Sequence, residues 1–356
     1  MDTLEEILKS AVEYGATDIF ILAGTTVAFK RDGEIVPQPG NMILPPSAKV
    51  LIERIYEIAK RDMEHFLETG DDDFSFALPG MSRFRASVYK QRGSYAATIR
   101  IILFGIPDYR TLGIPEQVVK SVDRGSGLIL VTGQAGSGKS TTLACMIEYI
   151  NTTRHGHIIT IEDPIEYLYQ NKKAIISQRE VDIDTESYLN ALRACLRQAP
   201  DVILVGEMRD LETIQTVMTA AETGHLVIST LHTVGAAGTV GRIIDVFPPA
   251  QQPQILVQLS MLLQAVVSQQ LVPTIDGGQT PAFEIMYNTT AVRTMIRESK
   301  VHQLDSVIAS GAADGMMSMD ANLLAMFQEG KITEKTALLK CFNQDMMQKR
   351  INASKR

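Results

Sequence analysis

Apolar and polar positions change period several times along the first hundred residues. Leu4, Ile7, Leu8, Ala11 and Val12 recur at intervals of three and four. They follow Thr3 and Glu6, which stand at capping-box spacing, so a helix is predicted there. Asp18 to Leu22 is a short apolar run closed by Ala23-Gly24, the signature of a strand. Residues 29–35 predict a hairpin with Asp32-Gly33 as its turn. Ile52, Ile55, Ala59, Met63 and Phe66 return to helical spacing over residues 48–68. Residues 73–103 then alternate in the manner of antiparallel strands. The first block is therefore α+β.

Gly and Pro each occur twice within residues 105–116, the composition of a linker. Beyond it, short continuous apolar runs alternate with helical stretches. The runs are 127–132, 158–161, 202–205 and 226–230. Strands buried on both faces read this way, and their alternation with helices implies a doubly covered parallel sheet. From about Phe283 the pattern is mostly helical, and the tail INASKR is expected to fray. The expected division is an α+β domain over 1–104, a linker over 105–118, an α/β core over 119–284 and a helical C-terminal region over 285–356.

The first α/β strand runs into Gly133-Gln134-Ala135-Gly136-Ser137-Gly138-Lys139-Ser140-Thr141, which fits G-x-x-x-x-G-K-[ST] between a strand and a helix. Glycines let the backbone aim successive N–H groups at an anion, and the helix N-terminus adds positive potential. Lys139 can reach β- and γ-phosphates, and Ser140 can ligate Mg2+. Two further strands end in acids: 159–161 runs into Glu162-Asp163-Pro164-Ile165-Glu166, and 202–205 into Gly206-Glu207. Ligands of open parallel sheets bind at the carboxyl ends of strands, so both clusters should face the phosphate loop's crevice. Gly206 stands where a strand-end Asp usually helps hold magnesium. Either Glu162 or Glu207 could activate water. Asp163 and Glu166 have an alternative role as a turn and a helix cap.

His225 precedes the fourth strand and His232 follows it, where an imidazole could register phosphate loss or serve a purely structural role. Arg83, Arg85, Arg92 and Arg100 cluster in the first block, suited either to phosphate contact from a neighbouring subunit or to a solvated strand face.

Composition narrows the classes. In 356 residues, 34 Lys and Arg stand against 41 Asp and Glu, a net charge of −7, which argues against nucleic-acid wrapping. No apolar run approaches the roughly 20 residues that span a bilayer. The acidic N-terminus is not that of a secretory signal. Cys145, Cys195 and Cys341 lie far apart, without metal spacing, as suits a reducing cytoplasm.

Four blocks resemble the type II/IV secretion and pilus ATPases in order and spacing. They are GQAGSGKST (133–141), ITIEDPIEY (159–167), APDVILVGEMRDLET (199–213) and AAETGHLVISTLHT (220–233). They look like that family's Walker A, Asp box, Walker B and His box. AVRTMIRE (291–298) resembles the signature of the twitching-motility pilus-retraction group. The resemblance covers nearly the whole chain. It implies a PAS-like N-terminal domain, a RecA-like P-loop ATPase core and a helical C-terminal region. It further implies ATP and Mg2+ as cofactors and a homo-hexamer on the cytoplasmic side. That ring would act peripherally on an inner-membrane pilus platform, with other pilus motor ATPases among its partners and no nucleic acid.

By position the resemblance makes Glu162 the water-activating base and Glu207 the Walker B acid supporting Mg2+ with Ser140. His225 and His232 fall in the His box, and Arg85 and Arg100 match arginines directed at phosphates. Departures are Gln134-Ala135 for Pro-Thr, Phe20 for a frequent His, and Val272-Pro273-Thr274 for Leu-Pro-Lys. The implied function is pilus retraction. A pilus-assembly or type II secretion ATPase, or an accessory retraction paralogue, is the alternative. A non-catalytic scaffold is disfavoured by the retained Lys139, Ser140, Glu162 and Glu207. Against a nucleic-acid translocase stand the acidic balance and the lack of a basic-aromatic stripe.

Overall fold

The computed structural model describes residues 3–31, 33–102 and 105–354. The chain divides into two compact units, residues 1–105 with 166–168, and 106–165 with 169–356.

The first unit is built on a six-stranded sheet. Its strands are β1 (Asp18–Ile21), β2 (Ala28–Arg31), β3 (Glu34–Pro37), β4 (Asp71–Leu78), β5 (Ser82–Gln91) and β6 (Ser94–Ile102). The order is β3-β2-β1-β6-β5-β4 and every pairing is antiparallel. The helix Leu4–Tyr14 starts with the predicted reciprocal cap between Thr3 and Glu6 and buries Leu4, Ile7, Leu8 and Ala11. The hairpin pairs Arg31 with Glu34; its predicted turn residue Asp32 lies outside the described residues. The helix expected over 48–68 is two helices, Pro45–Ala59 and Glu64–Thr69. Lys60 closes the first in the left-handed region, at φ 53°. Arg61 then turns to Asp72, donating to both carboxylate oxygens at 3.0 and 2.9 Å, while the Tyr56 hydroxyl donates to the same carboxylate at 3.0 Å. That buried acid needs its partners more than the helix needs continuity, because an unpaired buried carboxylate is costly.

The second unit carries a seven-stranded sheet. Its members are β7 (Gly127–Thr132), β8 (His157–Glu162), β9 (Ile175–Glu180), β10 (Val202–Val205), β11 (Leu226–Leu231), β12 (Leu263–Pro273) and β13 (Gln279–Tyr287). The order is β13-β12-β7-β11-β10-β8-β9, parallel except for the antiparallel edge strand β13. β7, β10 and β11 are buried at every position, as their unbroken apolar runs predict. Helices such as Lys139–Thr153 and Leu211–Glu222 complete an α/β core. Ile114, Val118, Val119 and Val122 of the Gly- and Pro-rich approach are part of this core cluster.

The structure corrects three expectations. Phe283 lies within β13, so the helical region begins only at Thr290. No helix follows Glu162: residues 163–167 are irregular, and Asp163 and Glu166 cap nothing. The tail does not fray through INASKR, because the helix Gln344–Ser354 carries Ile351, which is buried with Val272, Leu323 and Met347; residues 355 and 356 lie outside the described residues.

Candidate active site

Four neighbouring parallel strands, in the sheet order β7-β11-β10-β8, end in the residues the motifs single out. β7 leads into the phosphate loop, β11 into His232, β10 into Gly206-Glu207, and β8 ends at Glu162. All four groups therefore gather at the carboxyl edge of one sheet.

The loop's backbone explains its glycines. Gly133, Gly136 and Gly138 have φ values of 147°, 74° and 85°, a region that disfavours any residue with a Cβ. Space adds a second constraint at two of them. A Cβ on Gly133 would meet the Gln269 carbonyl oxygen at 2.2 Å, and one on Gly138 would meet Gln269 Nε2 at 2.9 Å. Lys139 begins the helix Lys139–Thr153. Its ammonium donates to the carbonyls of Gly133 at 2.8 Å and Gln134 at 3.0 Å. Gln134 and Ala135 contribute backbone to this turn, and both side chains are exposed, so the departure from Pro-Thr leaves the frame intact.

A polar chain crosses from the loop to β10. Lys139 Nζ lies 3.5 Å from His232 Nδ1, and His232 Nε2 lies 3.4 Å from Glu207 Oε2. Arg209 grips the same carboxylate with Nε at 2.6 Å and a terminal nitrogen at 3.1 Å. Burial pushes the Glu207 carboxyl up, but hydrogen bonding and charge from Arg209, with help from His232, outweigh it and hold it below the usual range. Glu162 is positioned differently: the Thr160 hydroxyl donates to its Oε1 at 2.6 Å, and Gln178 donates to the same oxygen at 3.3 Å. The glycine in place of a strand-end Asp also has a cause. A Cβ at position 206 would meet the Tyr188 hydroxyl at 2.8 Å and the Ile161 carbonyl at 3.2 Å. The acid is displaced one residue, to Glu207. Burial, then the nearby Asp163 and Glu207, keep the Tyr188 hydroxyl protonated.

Not every predicted residue joins this cluster. His225 stands before β11, six residues from the loop edge, or about 20 Å at strand rise. There its Nδ1 faces the Ala220 carbonyl at 2.9 Å and the Thr223 hydroxyl at 3.1 Å. Within one chain it is at the opposite end of the sheet from the phosphate loop. Arg85 and Arg100 belong to the first unit, directly opposite each other on β5 and β6. Arg100 donates to buried Asp18 at 2.9 Å, which offsets one charge of an otherwise unfavourable like-charge pair. Arg83 lies two residues from Arg85 on the same strand face, whereas Arg92 sits in the turn between β5 and β6, at φ 48°.

Sequence reading missed Gln269. It lies on β12, is 4% exposed, and reaches the loop from more than 120 residues away. No local pattern marks it.

The cysteines play no part at this edge. Cys145 and Cys195 are buried and free, and burial pushes both thiols up to about 11. Native protein treated with iodoacetamide at pH 8 should therefore leave both unlabelled while unfolded chain reacts fully, since the thiolate is the nucleophile. Mass spectrometry of the two samples checks this, and equal labelling would mean that the helices Lys139–Thr153 and Tyr188–Cys195, which carry the two thiols, both open readily.

Comparison with known proteins gives a consistent set of relatives. Residues 1–329 match the family model for type II/IV secretion system proteins. The chain is 44% identical to the type IV pilus retraction ATPase PilT of Pseudomonas aeruginosa, covering 94% of this chain and 96% of that one. It is 39% identical to the type IV pilus ATPase PilU of the same organism, over 94% of this chain and 87% of the other. The crystal structure of the pilus retraction motor PilT with bound ADP superposes with a TM-score of 0.90 at 44% identity, covering 98% of this chain and all of that one.

Proposed function

The chain belongs to the type II/IV secretion system protein family and is an ATPase of it, and from that membership we propose that it powers type IV pilus retraction. The likeness to PilT along nearly the full length of both chains carries the reading. In this proposal the chain forms a homo-hexameric ring at the cytoplasmic face of the inner membrane and acts on the pilus platform protein. Its motor core begins at about residue 119 and runs through β13, and the helical C-terminal region begins at Thr290. No helix among the described residues is long and apolar enough to cross a membrane.

The proposed chemistry follows from the strand ends. Backbone N–H groups of 136–141 and the Lys139 ammonium hold the β- and γ-phosphates of ATP. Glu162, fixed by Thr160 and Gln178, accepts the proton of the attacking water. Glu207 is engaged by Arg209 and held below its ordinary pKa, which suits a metal-supporting carboxylate better than a base. His232 touches both Lys139 and Glu207, so a change of charge at the γ-phosphate position reaches β10 through it. The donor set suits Mg2+, because the Ser140 hydroxyl and the Glu207 carboxylate are hard oxygen ligands. When bound, the ion would neutralise charge on the phosphate oxygens. Arg85 and Arg100, outside the unit that carries the loop, are assigned to phosphate contact between subunits.

PilU, at 39% identity, supports a second reading, an accessory retraction ATPase. A strain lacking this chain, complemented with wild type or with Glu162→Gln, separates the two. Loss of surface translocation with retained pili, restored only by the active form, is expected for the principal motor. Retraction that persists without the chain would make it accessory.

A further inference from the structure

We propose that Gln269 is the positioning residue that holds the phosphate loop in its nucleotide-ready shape and so sets affinity for both ADP and ATP. The proposal rests on residues 133–141 being the nucleotide loop.

The Gln269 carboxamide makes two buried bonds. Its Nε2 donates to the Ser137 carbonyl at 2.8 Å, and its Oε1 accepts from the Thr142 hydroxyl at 2.6 Å. A carbonyl can only accept, so the amide's orientation is fixed by chemistry. The bond to Ser137 matters because a trans peptide is planar. Its C=O and the following N–H point in opposite directions. Holding the Ser137 carbonyl toward β12 therefore turns the Gly138 N–H away from β12, toward the side where an anion would lie. Thr142, one turn into the helix, anchors the other end of the carboxamide. The loop is thereby tied to the helix whose N-terminus it feeds. The carboxamide also bears on the motif itself, since its Nε2 is what a Cβ on Gly138 would strike, at 2.9 Å, whereas Gly136 has nothing within 4 Å. Gly133 is crowded instead by the backbone carbonyl of residue 269 and by Ser137 Oγ.

Loss of the carboxamide leaves a buried carbonyl and hydroxyl without their partner, and the 137–138 peptide becomes free to rotate. A loop that must be ordered at the moment of binding binds more weakly. The energy falls on binding rather than on chemistry, because Gln269 touches no group assigned to the attacking water.

The test is ADP affinity by calorimetry on the full chain, for wild type, Gln269→Leu, Thr142→Val and the double variant, with unliganded melting temperatures alongside. At least a tenfold rise in Kd for Gln269→Leu is expected. Thr142→Val should give a smaller rise that vanishes in the Gln269→Leu background, since both act through one bridge. Steady-state kinetics should show KM for ATP rising with Kd, and kcat falling by a much smaller factor. Kd within twofold of wild type in a folded Gln269→Leu chain overturns the proposal, and so do effects of the two variants that simply add. Should Gln269→Leu fail to fold, Thr142→Val decides alone, and unchanged affinity there overturns it. Wild-type chain that binds no ADP would instead remove the phosphate-loop reading itself.

Discussion

Lys139→Ala is expected to abolish ATP turnover, with a fall of at least about a thousandfold, because it deletes the one cation built into the loop. The ammonium spans the loop between the Gly133 and Gln134 carbonyls and stands beside His232. No neighbour replaces that charge at the same place: Arg209 is committed to Glu207 by two bonds. Phosphate release and ADP calorimetry on the same preparation check the result, with both hydrolysis and tight binding lost. Turnover near the wild-type rate would mean that residues 133–141 do not hold the β- and γ-phosphates.

Glu162→Gln is expected to separate binding from hydrolysis. The amide matches the carboxylate in shape but cannot take a proton from water, so turnover should fall by roughly 10²–10⁴ while nucleotide affinity stays within a few-fold. Glu207→Gln provides the contrast. Removing that charge also frees Arg209 and His232, so binding and turnover should both suffer. The assignment depends on environment, since Arg209 and His232 stabilise the ionised form of Glu207 and make it a poor base. If Glu207→Gln binds nucleotide normally and Glu162→Gln hydrolyses it normally, the two roles are exchanged.

Burial decided how much of this was readable from sequence. β7, β10 and β11 are covered on both faces, so they appear as unbroken apolar runs and can be placed to within a residue or so. β12 and β13 were not found because they carry Ser268, Gln269 and Glu284, all buried and all satisfied by distant groups. A polar residue whose partners lie elsewhere in the fold has no period to detect. The family resemblance supplied the nucleotide chemistry that composition could not, and the strand-end geometry sharpened it. His225 precedes β11 and His232 follows it, as the sequence places them, so two residues of one motif stand at opposite ends of one strand. Lys60 and Arg61 broke a continuous helical pattern for the sake of Asp72, a contact invisible until β4 is in place.

β12 has one more consequence. Side chains alternate along a strand, so neighbours face opposite ways. Gln269 faces the phosphate loop, and the adjacent Gln270 donates to the Lys340 carbonyl at 3.0 Å, at the end of the helix Glu334–Lys340. Two residues further, Val272 is packed among Leu323, Met326 and Ile351. The strand is a shared keel: the loop rests on one side and the C-terminal helices on the other. Four consecutive residues, 269–272, hold the contacts to both.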